Sequence, residues 1–236
     1  MWDLLNNFAP NLVAYKARFM QSIEATYQMF FMAGAIVFVL GLLCGIALVV
    51  TESGNICLNR GLHTVITLFT NLLRSIPFVI LLIFLIPLTR RLVGTSIGVK
   101  GAIVPLCFGA VPFYTRQVEA ALHNVSIGKI EAARSMGSSN LGIIFRVYLH
   151  EAVPELLRVT TITAVSLIGL TTMAGAVGAG GLGSFAINYG QNQNHQDIVN
   201  VCVVLLIVLT TALQTLGNWL AKITTNRKIF SPGPKN

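Results

Sequence analysis

Glu131, Ala132, Ala133, Gly137 and Leu149 carry the most informative spacing in this chain. They stand in a polar stretch, residues 123–151, within a sequence that is otherwise mostly apolar. Ser126 is placed to cap a short helix over Ile127–Met136, and Gly137 is placed to stop it. Ser139 can cap a second short helix. Two such helices make a rigid projection and not a floppy connector. The bland alternative is an interhelical loop that happens to be helical. The other string of note is Gly178-Ala179-Gly180-Gly181-Leu182-Gly183, which spells GxGxxG. A dinucleotide site needs a strand before that string, a helix after it and an acidic residue about 20 positions on. Here an apolar run precedes it, and Asp197 follows Gly183 by only 14 positions.

The glycine string therefore predicts irregular backbone at the outer end of an apolar helix. Such backbone is tolerated at membrane depth only where it is buried in protein or lines a cavity. Gly178, Gly180, Gly181 and Gly183 are candidates for the mouth of a pathway, with close helix packing as the alternative. Met173 is a candidate apolar gate residue, although a methionine here also suits an ordinary core. Arg74 is a candidate pathway residue, or a side chain that snorkels to the membrane surface.

Enzyme chemistry finds little support. His63, His123, His150 and His195 lie far apart, and no HExxH pair or GxxxxGK[ST] loop occurs. No metal set is evident, and Cys44, Cys57, Cys107 and Cys202 have neither metal-ligand spacing nor a disulfide pattern. An ion-coupled carrier would place carboxylates inside its spans, yet Glu119, Glu155 and Asp197 all fall near span ends. The remaining class is a pathway whose energy comes from outside the chain. A channel or an ion-coupled carrier stands as the distant alternative.

The elements that must position these residues are membrane helices. Of 236 residues, 54% are apolar and 10% charged, and mean hydropathy is +0.74; ordinary soluble domains carry about 25% charge. A spanning helix needs about 20 apolar residues, and the pattern predicts an all-α polytopic membrane protein with five spans: 27–50, 64–88, 101–122, 152–176 and 198–220. Residues 1–26 read as an amphipathic, interfacial segment, 27–221 as the transmembrane domain with the loop 123–151, and 222–236 as a basic tail. Within the second span the clean apolar run Ile76–Leu88 has only 13 residues. That is roughly 20 Å of helix, too short to cross, so the span must reach back past Pro77 and Arg74. Eleven Lys/Arg fall on the side of the tail and five opposite, which puts the C-terminus and the 123–151 loop in the cytoplasm and the N-terminus outside. The net charge of +8 then reflects topology, and no nucleic-acid partner is expected.

Glu131-Ala132-Ala133, then Gly137, then Val147-x-Leu149 resembles the EAA signature of permease subunits of ABC importers. The signature's closing proline is His150 here. Arg74-Ser75-Ile76-Pro77-Phe78, Val93-Gly94-Thr95-Ser96-Ile97-Gly98, Ala102-Ile103-Val104-Pro105-Leu106 and Gly175 through Gly183 are similar to the methionine-uptake permeases of that superfamily. The similarity covers roughly Thr64 to Leu220. The resemblance implies a homodimer of five-span subunits in a bacterial inner membrane, working by alternating access. It also implies two cytoplasmic subunits that bind ATP and Mg2+, an extracytoplasmic methionine-binding lipoprotein, and an ATPase-coupling role for Glu131, Ala132, Ala133, Gly137 and Leu149. A related importer for another small amino acid or an anion remains the close alternative.

Overall fold

A computed structural model of the chain describes residues 9–229. Every element within that range is helical, and no strand occurs among the described residues. In chain order they are α1 (Pro10–Ala14), α2 (Lys16–Thr51), α3 (Arg60–Ser75), α4 (Phe78–Phe84), α5 (Ile86–Val93) and α6 (Gly98–His123). There follow α7 (Ile127–Ser135), α8 (Asn140–Ile143), α9 (His150–Ala174), α10 (Gly181–Phe185) and α11 (Gln196–Ile229). Wider, π-wound turns occupy Ile144–Leu149, Gly175–Ala179 and Ala186–Gln191.

Lys16–Thr51, Gly98–His123, Asn140–Ala179 and Gln196–Thr225 are each long and apolar enough to cross a membrane. The expected second span, 64–88, is broken at the Pro77 that lies within it. Its residues divide between α3 and α4, which bend by 105° at their break. Pro77 is the physical reason. It has no N–H to donate and it drives the preceding residue away from helical geometry; its own backbone is extended, at φ −56° and ψ 134°. Among the described residues the span count is four, or five when the bent pair is taken as one broken crossing.

The ends also differ from expectation. Residues 16–26, expected as part of a separate interfacial segment, are the first turns of α2. With no glycine or proline between Lys16 and Met32, nothing there stops helix propagation. At 36 residues the helix is about 54 Å long, well beyond the roughly 30 Å of hydrocarbon. Its polar start therefore has room outside the lipid. The rest of the segment is α1 and residues 1–8, the latter outside the described range. Similarly, α11 runs on through Lys222 to Ile229, so the expected tail begins as helix. Residues 230–236, with Lys235, lie outside the described range.

Two compact units form among the described residues: 9–36, 76–110 and 164–212 in one, and 37–75, 111–163 and 213–229 in the other. In the second unit, Gly41 and Gly45 let α2 approach α6. A Cβ on Gly41 would lie 2.6 Å from Tyr114 Cδ1, and one on Gly45 2.6 Å from Val118 Cβ. Tyr114 shares a 2.7 Å hydrogen bond with Thr160 of α9. In the first unit, Ala9, Leu12, Phe19, Leu182, Phe185, Ile198 and Cys202 form one buried apolar cluster.

Candidate functional site

The 123–151 segment folds as its pattern suggests. Gly137 ends α7 at φ +77°. Its N–H donates to Arg134 O at 2.9 Å and the Ser138 N–H donates to Ala133 O at 3.1 Å, the paired bonds of a glycine-terminated helix. Ser139 Oγ accepts from the Gly142 N–H and caps α8. Ser126 occupies the N-cap position of α7, but its hydroxyl makes no capping bond.

Ile130 and Ala133 turn inward and are buried, so α7 is seated on the protein by one face. Glu131, Ala132, Arg134 and Met136 point outward. Among the described residues no ion pair or hydrogen bond engages the Glu131 carboxylate. The carboxylate therefore stands ready for a partner. Leu149 is half-buried at the end of the π-wound turn that leads into α9.

Polar contacts fasten this projection to the loop after α2, and Asn55 is their hub. Its Oδ1 accepts from the Ile56 N–H at 2.7 Å and from Tyr148 OH at 2.9 Å. Its main-chain oxygen accepts from Arg134 Nη2 at 3.4 Å. Lys129 Nζ pairs with Glu151 Oε2 at 2.9 Å, and Asn140 Nδ2 donates to Cys57 Sγ at 3.3 Å. A cleft of about 340 Å³ lies between the loop and α7, with Glu52, Asn55, Glu131, Arg134 and Tyr148 on its walls. Neither Asn55 nor Tyr148 stands out in the sequence as a site residue. Asn55 reads only as part of a turn, and their partnership spans 93 positions.

The glycine string forms an irregular turn. Val177 and Gly178 leave helical geometry, Gly178 and Gly180 have φ of 96° and 82°, and Gly181 opens α10 at φ +80°. Gly181 also faces α2 closely: a Cβ there would lie 2.8 Å from both Thr26 Oγ1 and Met29 Cε. Thr26 Oγ1 accepts from the Leu182 N–H at 2.9 Å. A Cβ on Gly183 would collide with the main chain of Thr172. The turn thus shows both features expected as alternatives, irregular backbone and close packing. Met173 is 50% exposed beside it.

Arg74 is exposed in the last turn of α3, at a helix end rather than inside one. Arg116 is a second span charge. Its Nη1 pairs with Glu119 Oε2 at 2.7 Å and its Nη2 donates to Asn71 Oδ1 at 2.9 Å. Gly94-Thr95-Ser96-Ile97-Gly98 spells GxSxG, the string of a serine nucleophile. Here it joins two helices, and Ser96 Oγ accepts from Arg90 Nε at 3.1 Å, without the strand-to-helix turn that such a nucleophile needs. No cluster of metal-ligating side chains occurs among the described residues.

Several helices long and apolar enough to cross a membrane define a multi-pass membrane protein, and the comparisons place it in a family. Residues 53–229 match the family of binding-protein-dependent transport system inner membrane components, and the chain belongs to it. Among relatives, the probable D-methionine transport system permease protein MetI of Vibrio cholerae is 43% identical over 208 residues, 87% of this chain and 92% of that one. The methionine import system permease protein MetP of Bacillus subtilis is 41% identical over 180 residues, 76% of this chain and 81% of that one. A solved inward-facing structure of the MetNI methionine ABC transporter superposes with a TM-score of 0.85 at 42% identity, covering 88% of this chain and 96% of that chain.

Proposed function

We propose that this chain is the permease subunit of an ATP-driven methionine importer and forms the translocation pathway together with a second copy of itself. The observation that carries the reading is Glu131, held outward and unpaired on a seated helix, in a chain with no P-loop of its own. The motor is then a separate pair of cytoplasmic subunits, which bind ATP and Mg2+. An extracytoplasmic lipoprotein binds methionine and delivers it. The names of relatives at 43% and 41% identity support methionine as the substrate. The Lys/Arg asymmetry supports a cytoplasmic C-terminus and a cytoplasmic α7.

The apolar side chains that face outward along α3 and α11, such as Val65, Leu68, Leu72, Val204 and Val208, supply surface for lipid and for the second copy. Transport follows by alternating access. Closure of the ATPase pair on ATP draws the two α7 helices together. The bonds from Tyr148 and Arg134 to Asn55, and from Lys129 to Glu151, pass that movement to the ends of α2 and α9. Met173 and the glycine turn are the outer gate in this reading, and Arg74 lies beside the break between α3 and α4.

The test is uptake of labelled methionine by vesicles that hold the permease and its ATPase, with the lipoprotein outside. The expected result is uptake that requires both ATP and the lipoprotein. Flux without ATP would indicate a channel instead, and ATP-driven uptake of another amino acid with none of methionine would overturn the substrate.

A further inference from the structure

The N-terminal helix α1 lies against the connection between α9 and α11. Asn11 donates twice to one carboxylate: its main-chain N–H to Asp197 Oδ2 at 3.0 Å and its Nδ2 to Asp197 Oδ1 at 3.1 Å. Asp197 stands in the first turn of α11, where a negative charge is already favoured by the helix dipole. Four positions on, Tyr15 OH donates to Gln193 Oε1 at 2.9 Å, and the Tyr15 ring packs on Tyr189 with centroids 4.9 Å apart. Ala9 and Leu12 are fully buried. Phe19 packs on Phe185 at 5.4 Å.

The polar and aromatic contacts of Asn11, Tyr15 and Phe19 all fall on residues 185–197, which join the glycine turn to the last span. The turn itself is held from α2 by Thr26, through the Leu182 N–H. The connection after the turn is thus bonded near both ends, at Leu182 by Thr26 and at Asp197 by Asn11.

The geometry points to α1 as a strap that sets the position of the outer gate, with Asn11–Asp197 as its latch. The strap makes the connection 182–198 move with the start of α2, so that opening at the outer side follows the helices and not thermal motion of the loop. Asn11, Tyr15 and Asp197 are positioning residues in this role, since they act on the mouth through Leu182 and Phe185. This inference rests on the importer reading but goes beyond it. The partner subunits and the docking helix would function the same way without a strap.

The test uses the complete transporter in vesicles, with the ATPase subunits and the binding lipoprotein, and reads uptake per ATP hydrolysed. Asn11→Asp sets two carboxylates against each other. Asn11→Asp with Asp197→Asn removes the repulsion and moves the side-chain donor to residue 197, while the N–H groups of Leu12 and Ile198 keep only one of the two oxygens they had at Asp197. The expected result is that Asn11→Asp hydrolyses ATP within about twofold of the unmodified complex while uptake per ATP falls about fivefold or more, the low end of ordinary coupling effects. The exchanged pair should recover part of that loss, as expected of contacting residues that are not additive. Tyr15→Phe, which removes one hydroxyl and keeps the ring, should show a smaller loss in the same direction, even if Asn11→Asp fails to fold. Unchanged uptake per ATP in both Asn11→Asp and Tyr15→Phe would overturn the strap, as would an exchanged pair no better than Asn11→Asp alone. If the unmodified complex shows no ATP-driven uptake at all, the importer reading fails first and takes the strap with it.

Discussion

Tyr148 OH and Asn55 Oδ1, 93 positions apart in sequence, lie 2.9 Å from each other. The bond joins the segment that carries α7 to the loop at the end of the first span. Tyr148 is buried over most of its surface, and the bond itself is partly buried. Removing the hydroxyl alone, in Tyr148→Phe, should cost about 1 kcal/mol, the usual net worth of one hydrogen bond. The expected outcome is a lower thermal unfolding midpoint in detergent. Asn55→Ala, which removes the acceptor of two bonds, should lower it further. An Asn55→Ala midpoint equal to that of the unmodified protein would refute the hub.

Gly137→Ala tests the stop of α7. A Cβ at this position meets nothing within 4 Å, so crowding plays no part. The cost comes from the left-handed backbone at φ +77°, roughly 1–2 kcal/mol for a residue with a Cβ. The substitution should weaken co-purification with the ATPase subunits while leaving the spans folded, as read by circular dichroism. Gly137→Asn should be milder, because asparagine tolerates this conformation better.

Gly183→Ala tests the packing of the outer turn. The added methyl would strike the main chain of Thr172, which cannot rotate away as a side chain could. Overpacking of this kind typically costs about 1–3 kcal/mol. The expected outcome is a lower yield of folded protein in size-exclusion chromatography, and a partial recovery on lowering the temperature is expected of a packing defect.

Cys57 tests the orientation. It is a free, partly exposed thiol in the loop bonded to Asn140, on the side assigned to the cytoplasm. With the other three cysteines replaced by alanine, a membrane-impermeant maleimide should label it in inside-out vesicles and leave it unlabelled in intact cells. Labelling from the outside would invert the topology.

Much of this arrangement is legible in the sequence, and the reasons are local. Gly137 and Ser139 act within four residues of themselves, so the pattern that predicts a helix stop and a helix cap is the interaction itself. The pair Gly41 and Gly45 is ambiguous in sequence, because such spacing is frequent in apolar helices. The structure gives it a meaning, Tyr114 and Val118. The second span shows what a count of apolar residues leaves out: it places Pro77 within the crossing but gives no angle, and the chain turns there by 105°. Asn55 and Asp197 were illegible for another reason. Each is a single polar residue in a turn or a first helical turn, and its partner comes from a distant part of the chain. No short-range pattern encodes that.

The central claim is that this chain is driven from outside through α7, and Glu131→Lys tests it most directly. Glu131 is outward-facing on its helix, so the reversed charge should leave folding and dimer assembly intact. In vesicles containing the ATPase subunits and the lipoprotein, the account predicts that Glu131→Lys reduces ATP-driven methionine uptake by about tenfold or more, within the range of ordinary coupling free energies, with lipoprotein-stimulated ATP hydrolysis falling alongside. Uptake and subunit assembly both unchanged by Glu131→Lys would contradict it.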